Sequence, residues 1–256
     1  MRLSDWLESQ DRAPNRAYAV TDLSERAERP AELLPYLAAL LSDAKIDPSH
    51  VDRIAAALGF EDVRTRLVPG GPAVRRGEFG ETIAAAILEE IEGWRVPIPK
   101  LRYQIDPTQT QPGTDLLAVQ MDGPAIVGLH FAESKLRSGA DNRAAVAAHG
   151  QLAEDQKRGF ADILVFVLAR LLERNSELAD PLERYLAGRS PGDRGTYGIF
   201  LTFDETAWGE SVLDALDAET ELLDPLAVRI TRLRDLRGLA DAVCASAGIP
   251  FVDNDD

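Results

Sequence analysis

The chain has 256 residues, 45% of them hydrophobic and 28% charged, with a single cysteine and a formal net charge of −15. That length and composition suit one sizeable soluble α/β domain, or one domain with a smaller appendage. No apolar run approaches the roughly 20 residues of a membrane span, and the start "MRLSDWLESQDR" has no signal-like core, so a cytoplasmic location is expected. One cysteine, Cys244, excludes an internal disulfide framework and a cysteine metal cluster.

The charge is uneven. Residues 1–76 carry 11 Lys+Arg and 12 Asp+Glu, a net of −1, whereas the rest carry 17 and 31, a net of −14. Such an acidic chain lacks the positive field that gives nucleic-acid binders their sequence-independent affinity. If it acts on nucleic acid, another component is expected to deliver the strand.

In chain order, residues 28–45 and 47–60 read as helices, the second with Asp47 as N-cap and Pro48 at its first position. Residues 1–70 are therefore expected to form a small helical N-terminal region and 71–256 an α/β domain. The turn-rich stretches "VPGGP" (68–72) and "RSPGDRG" (189–195) mark joints. Residues 77–94 read as a helix ended by Gly93; 94–105, 114–121 and 125–135 read as three strands. A helical stretch from 143 to 174 follows, with Gly150 and Gly159 as possible breaks. A strand at 196–203, a helix at 208–219, a strand at 226–233 and a helix at 235–247 complete a mixed-sheet α/β core.

Strand side chains alternate, so in "ESK" (133–135) Glu133 and Lys135 share one face and Ser134 takes the other. The turn signal "MDGP" (121–124) joins two strand-like runs into a hairpin, which sets Asp115 opposite residues 130–133. Two adjacent carboxylates repel unless a cation compensates, and oxygen ligands without His or Cys point to Mg²⁺ or Mn²⁺. Such an ion activates water for phosphodiester hydrolysis, and Lys135 beside it can orient or deprotonate that water or stabilise the phosphate. On the preceding helix the apolar face centres on Ile83, Ile87 and Ile91; Glu81 falls at its margin beside Leu88, whereas Glu78 falls on the far side. Glu81 is thus the preferred third acid and Glu78 the alternative. The triplet alone is weak evidence, because three of the four lysines follow an acid at i−2; Asp43 and Asp155, however, lie on expected helices, where i and i+2 do not share a face. The competing reading is a charged strand end meeting solvent.

Glu81, "PGTD" (112–115) and "ESK" in that order resemble the PD-(D/E)xK nuclease superfamily, with Pro112 and Asp115 as a Pro-Asp element interrupted by Gly113 and Thr114. The run "RRGEFGETIAAAIL", "GTDLLAV", "HFAESKLRSG" and "AAHGQLAEDQ" further resembles the HamA nuclease family of Hachiman antiphage defence, over roughly residues 70–205. The resemblance implies a restriction-endonuclease-like core and a Mg²⁺-dependent (or Mn²⁺-dependent) deoxyribonuclease with Glu81, Asp115, Glu133 and Lys135 catalytic. Asp115, Glu133 and Glu81 would hold the metal. It also implies a partner helicase that restrains the nuclease and carries the basic track on DNA. The alternatives are a stand-alone restriction or repair nuclease and a non-catalytic interaction subunit.

Smaller expectations attach to other residues. Arg75, Arg76, Arg137 and Arg143 flank the site and are either phosphate contacts or solvated charges. His130 is read as a core histidine, and His149 is weighed as a group near the site. Gln151 and Gln156 orient substrate or water, or are simply exposed. Trp6, Trp94 and Trp208 are too scattered for a base-stacking platform and read as packing anchors.

Overall fold

The computed structural model describes residues 1–46, 72–103, 113–189 and 195–247, together with His50, Arg53 and Ala57. The helix expected at 47–60, Pro112 and most of the two turn-rich joints lie outside the described residues.

Six strands form one mixed sheet: β1 (Leu7–Asp11), β2 (Ala19–Glu25), β3 (Leu116–Asp122), β4 (Ala125–Arg137), β5 (Thr196–Asp204) and β6 (Leu226–Leu233), in the spatial order β1-β2-β6-β5-β4-β3. The central pairings β2–β6, β6–β5 and β5–β4 are parallel; β1–β2 and β3–β4 are antiparallel hairpin-type edges. Buried on both faces, β5 ("TYGIFLTFD") shows a nearly continuous apolar run rather than alternation, as interior parallel strands do.

Helices cover both faces. One layer contains α1 (Leu3–Trp6), α2 (Leu33–Lys45), α3 (Pro72–Glu90) and α8 (Leu236–Ser246); its core joins Phe79, Ile83 and Ile87 to Leu116, Ala132 and Phe200. The opposite layer contains α4 (Ala144–Lys157), α5 (Ala161–Glu173), α6 (Ala179–Gly188) and α7 (Ser211–Asp217); its core joins Ala148, Leu152 and Val167 to Leu117, Phe131 and Leu201. Each element buries one apolar face against the sheet, which gives a three-layer α/β/α arrangement. Among the described residues no helix is long and apolar enough to cross a membrane.

Two expectations need correction. The first 25 residues are not helical apart from α1: β1 and β2 extend the sheet, because Val20 and Leu23 are buried when β2 runs parallel to β6. That pairing joins residues some 200 positions apart, and "LESQD" of β1 has no apolar alternation to announce it. Residues 94–103, the described part of the strand expected at 94–105, do not form one either. Pro97 and Pro99 remove ladder donors, so only Arg95 bridges to Val119 before the chain enters a 3₁₀ turn, Lys100–Tyr103. The 143–174 stretch is divided at Gly159 and Phe160, both with positive φ (68° and 54°), while Gly150 stays helical.

Candidate active site

The hairpin that carries the site is staggered at its open end. Leu116 pairs with Ala132, and β3 begins there, so residues 133–137 of β4 have β5 on one side and no β3 partner on the other. Asp115 stands one residue before the ladder, level with Glu133. Its Oδ2 accepts the Ser134 backbone N–H at 2.9 Å, which satisfies a donor that the missing strand leaves open. Sequence reading set Asp115 opposite 130–133, and the register falls at the end of that range despite an irregularity at Gln120/Met121.

Glu133 and Lys135 share the face turned toward α4, and Lys135 Nζ donates to Glu133 Oε1 at 2.6 Å. Glu133 is only 3% exposed, and its second oxygen, Oε2, is buried without a hydrogen-bond partner. Burial and then the neighbouring Asp115 charge push the Glu133 carboxyl up to about 8, against the pull of Lys135. Burial also raises Asp115, partly offset by the Ser134 N–H and Lys135. Glu81, half-buried on α3, is raised well above the usual carboxylate range by burial and then by Asp115. In all three acids burial is the first cause that disfavours the anion, and Glu81 and Glu133 are raised further by the Asp115 charge.

Glu81, Asp115, Glu133 and Lys135 all line one cleft of about 770 Å³. Arg76, Arg137, the 138–141 loop and Gln151 are among its other lining residues. The close approach of α3 to β4 depends on Gly80: a Cβ there would lie 3.1 Å from Leu136 Cβ and 3.3 Å from Ser134 Oγ. Gly80 thus lets the next residue, Glu81, reach the open end of the hairpin.

Glu78 is elsewhere. It is buried and pairs with Lys45 Nζ of α2 at 2.8 Å, so it tethers two helices instead of lining the cleft. The far side of α3 is therefore covered by α2 rather than solvated. Of the flanking arginines, Arg76 and Arg137 reach the cleft, Arg137 holding Asp141 at 2.6 Å. Arg75 is buried beside Glu78, and Arg143, at the start of α4, donates its backbone N–H to the cleft residue Asp141 at 3.0 Å without itself lining the cleft.

His130 is a core residue, bonded through Nδ1 to Thr196 Oγ1 at 2.7 Å and pushed down to about 3 by burial and Arg229. His149 does not approach the site: its Nε2 accepts the Leu223 N–H at 3.1 Å. Gln151 lines the cleft, whereas Gln156 donates to the Tyr197 hydroxyl at 2.9 Å. Trp6 is fully buried, and Trp94 and Trp208 pack against the two cores. Cys244 is buried in α8.

Sequence reading missed Lys100, Thr114 and Asp155, which surround the segment leading to Asp115. Lys100 sits in a stretch misread as a strand, and it donates to backbone carbonyls, for which no side-chain pattern exists. Asp155 carries one signal, Gln151 four residues earlier on the same helix face.

The motifs along α3, β3, β4 and α4 extend into a match over most of the chain: the family model described as HamA covers residues 2–236. The chain belongs to the HamA family. The match takes in β1, β2 and β6, beyond the 70–205 span that the motifs alone indicated. HamA membership supports an antiphage-defence subunit. No curated protein matches the chain.

As to a metal, no three His, Cys, Asp or Glu side chains among the described residues are gathered closely enough to hold an ion by themselves. Mg²⁺ does not demand that. It commonly takes one or two carboxylates and keeps water or substrate oxygens in its other positions. An all-oxygen donor set, two neighbouring carboxyls driven upward by desolvation and an unpartnered buried Glu133 Oε2 fit such an ion. Asp115 and Glu133 would hold it, with Glu81 lining the same cleft.

Proposed function

We propose that this HamA-family chain is a metal-dependent deoxyribonuclease, the effector subunit of an antiphage complex in which a partner helicase restrains it and moves on DNA. The observation that carries the reading is the Asp115–Glu133 pair, desolvated at the open end of a hairpin with Lys135 bonded to it. Burial raises both carboxyls even though Lys135 and Lys100 act on them, and the pair lines an open cleft, which is where perturbed acids mark a functional site. A bound divalent ion would supply Lewis acidity and an activated water there.

The chain's own groups have separable roles in hydrolysis. Asp115 and Glu133 gather the cation. Lys135 offers positive charge to a non-bridging phosphate oxygen as negative charge builds in the transition state, and Glu133 fixes the direction of its ammonium group. Arg76 and Arg137 on the cleft wall supply phosphate contacts at a distance from the reacting atoms. These PD-(D/E)xK roles rest on the motif order together with this geometry.

A net charge of −15 supports a separate DNA-delivering partner. Two measurements test the reading. Affinity purification from the native cell should recover a helicase. That complex, given Mg²⁺ or Mn²⁺, should cleave DNA. Asp115→Ala, Glu133→Ala and Lys135→Ala should each remove cleavage by about 100-fold or more while the proteins stay folded. Wild-type complex that stays inert with metal and DNA under activating conditions contradicts the nuclease assignment.

A further inference from the structure

Asp115 lies outside the β3 ladder, so strand pairing does not hold it, yet its carboxylate must meet Ser134 and Glu133. Two buried contacts grip the chain just before it. From the 3₁₀ turn, Lys100 Nζ donates to the carbonyl oxygens of Gly113 at 2.9 Å and Thr114 at 3.2 Å. From α4, Asp155 Oδ2 accepts Thr114 Oγ1 at 2.8 Å and Gln151 Nε2 at 3.3 Å. Lys100, Thr114 and Asp155 are 8%, 1% and 5% exposed. Gly113 has φ +86°, a conformation that turns its carbonyl aside from a regular strand and that other residues rarely adopt.

Burying an ammonium and a carboxylate is costly, and plain loop closure does not need it. A charge-assisted donor shared by two successive carbonyls fixes both peptide planes, and a hydroxyl bond from the opposite side fixes the residue next to Asp115. We propose that Lys100 and Asp155 are positioning residues that bracket Gly113–Thr114 and thereby aim Asp115. What Asp115 then does rests on the nuclease reading above; the bracket itself does not. Groups hydrogen-bonded directly to a metal-binding side chain typically change metal affinity or activity about 10- to 100-fold when lost, and a bracket on the backbone that aims such a side chain acts in the same direction.

The test uses the full chain with Lys100→Met, Lys100→Arg and Thr114→Val. Amide hydrogen exchange is read at Ser134, whose N–H reports the Asp115 carboxylate, against amides in the centre of β5 and β6. Lys100→Met should speed Ser134 exchange by about tenfold or more and leave the central amides unchanged. Thr114→Val, which keeps the side-chain shape, should act in the same direction and carries the test if Lys100→Met does not fold. Lys100→Arg should restore most of the protection. Mn²⁺ affinity by calorimetry should fall about 10- to 100-fold in Lys100→Met. Unchanged Ser134 exchange in a folded variant overturns the bracket. Wild-type protein that neither binds Mn²⁺ nor cuts DNA counts against the nuclease reading alone, because the exchange measurement needs neither.

Discussion

The Ser134 backbone N–H donates to Asp115 Oδ2 at 2.9 Å, so the hairpin closes its open end with a carboxylate where the next ladder bond would have been. That contact brings Asp115 to the Glu133 face without lengthening β3. An acid in this place does two jobs: it satisfies an edge donor, and it adds a second negative charge beside a buried one.

The crowded acids have a consequence for pH. Glu133 is raised to about 8 in the folded chain, against a carboxyl near 4.5 when unfolded. The folded state therefore holds the extra proton between those values, and its stabilising effect is present below about 4.5 and lost as pH rises through 8. Thermal melts should show stability falling over that window, by at most about 1.4 kcal/mol per pH unit from this group. Glu133→Gln should flatten the slope, and Mn²⁺ should stabilise wild type more at pH 8 than at pH 5. A wild-type slope equal to that of Glu133→Gln would show that Glu133 is not the group responsible.

The two acids on α3 should separate cleanly. Glu78→Gln removes one partner of a buried ion pair and leaves Lys45 Nζ without it, so chemical denaturation should show a loss of about 3–5 kcal/mol. Replacing both, as Glu78→Leu with Lys45→Met, should recover much of that. Glu81→Gln should cost little stability, because it removes a carboxyl that burial already disfavours as an anion, yet it should weaken Mn²⁺ binding. If Glu78→Gln rather than Glu81→Gln impairs metal binding, the assignment is reversed.

Gly77 and Gly80 offer a similar contrast on one helix. A Cβ at Gly77 meets nothing within 4 Å, so Gly77→Ala should stabilise α3 by about 0.5–1 kcal/mol through helix propensity. Gly80→Val forces atoms into Leu136 and Ser134 and should destabilise by about 1–3 kcal/mol, as overpacking does. Equal behaviour of the two in denaturation would contradict the close α3–β4 approach.

Much of the site was legible because its signals are local. The "MDGP" turn, the alternation through "HFAESK" and the position of Glu81 beside Leu88 each reflect a period or a turn that sequence displays, and together they gave Asp115, Glu133, Lys135 and Glu81 as neighbours. The strands at 7–11 and 19–25 were not legible: the pairing of β2 with β6 is non-local, and β1, which pairs only with β2, is exposed along most of its length. Apolar residues at 94–105 imitate a strand, but Pro97 and Pro99 withhold the N–H groups that pairing requires. Lys100 was invisible for a different reason, since it grips carbonyls 13 and 14 residues away that every sequence possesses. Glu78 was read as facing away from the fold because α2, which covers it, enters from a distant part of the chain.

The central claim is that Asp115 and Glu133 form a divalent-ion site, and calorimetric titration of the purified chain with Mn²⁺ tests it without a partner, a DNA substrate or a trigger. The account predicts saturable binding that is lost in Asp115→Ala and Glu133→Ala and kept in Glu78→Gln, measured at a pH where each variant is folded. Absence of binding to wild type, or binding that survives both site substitutions, would contradict it.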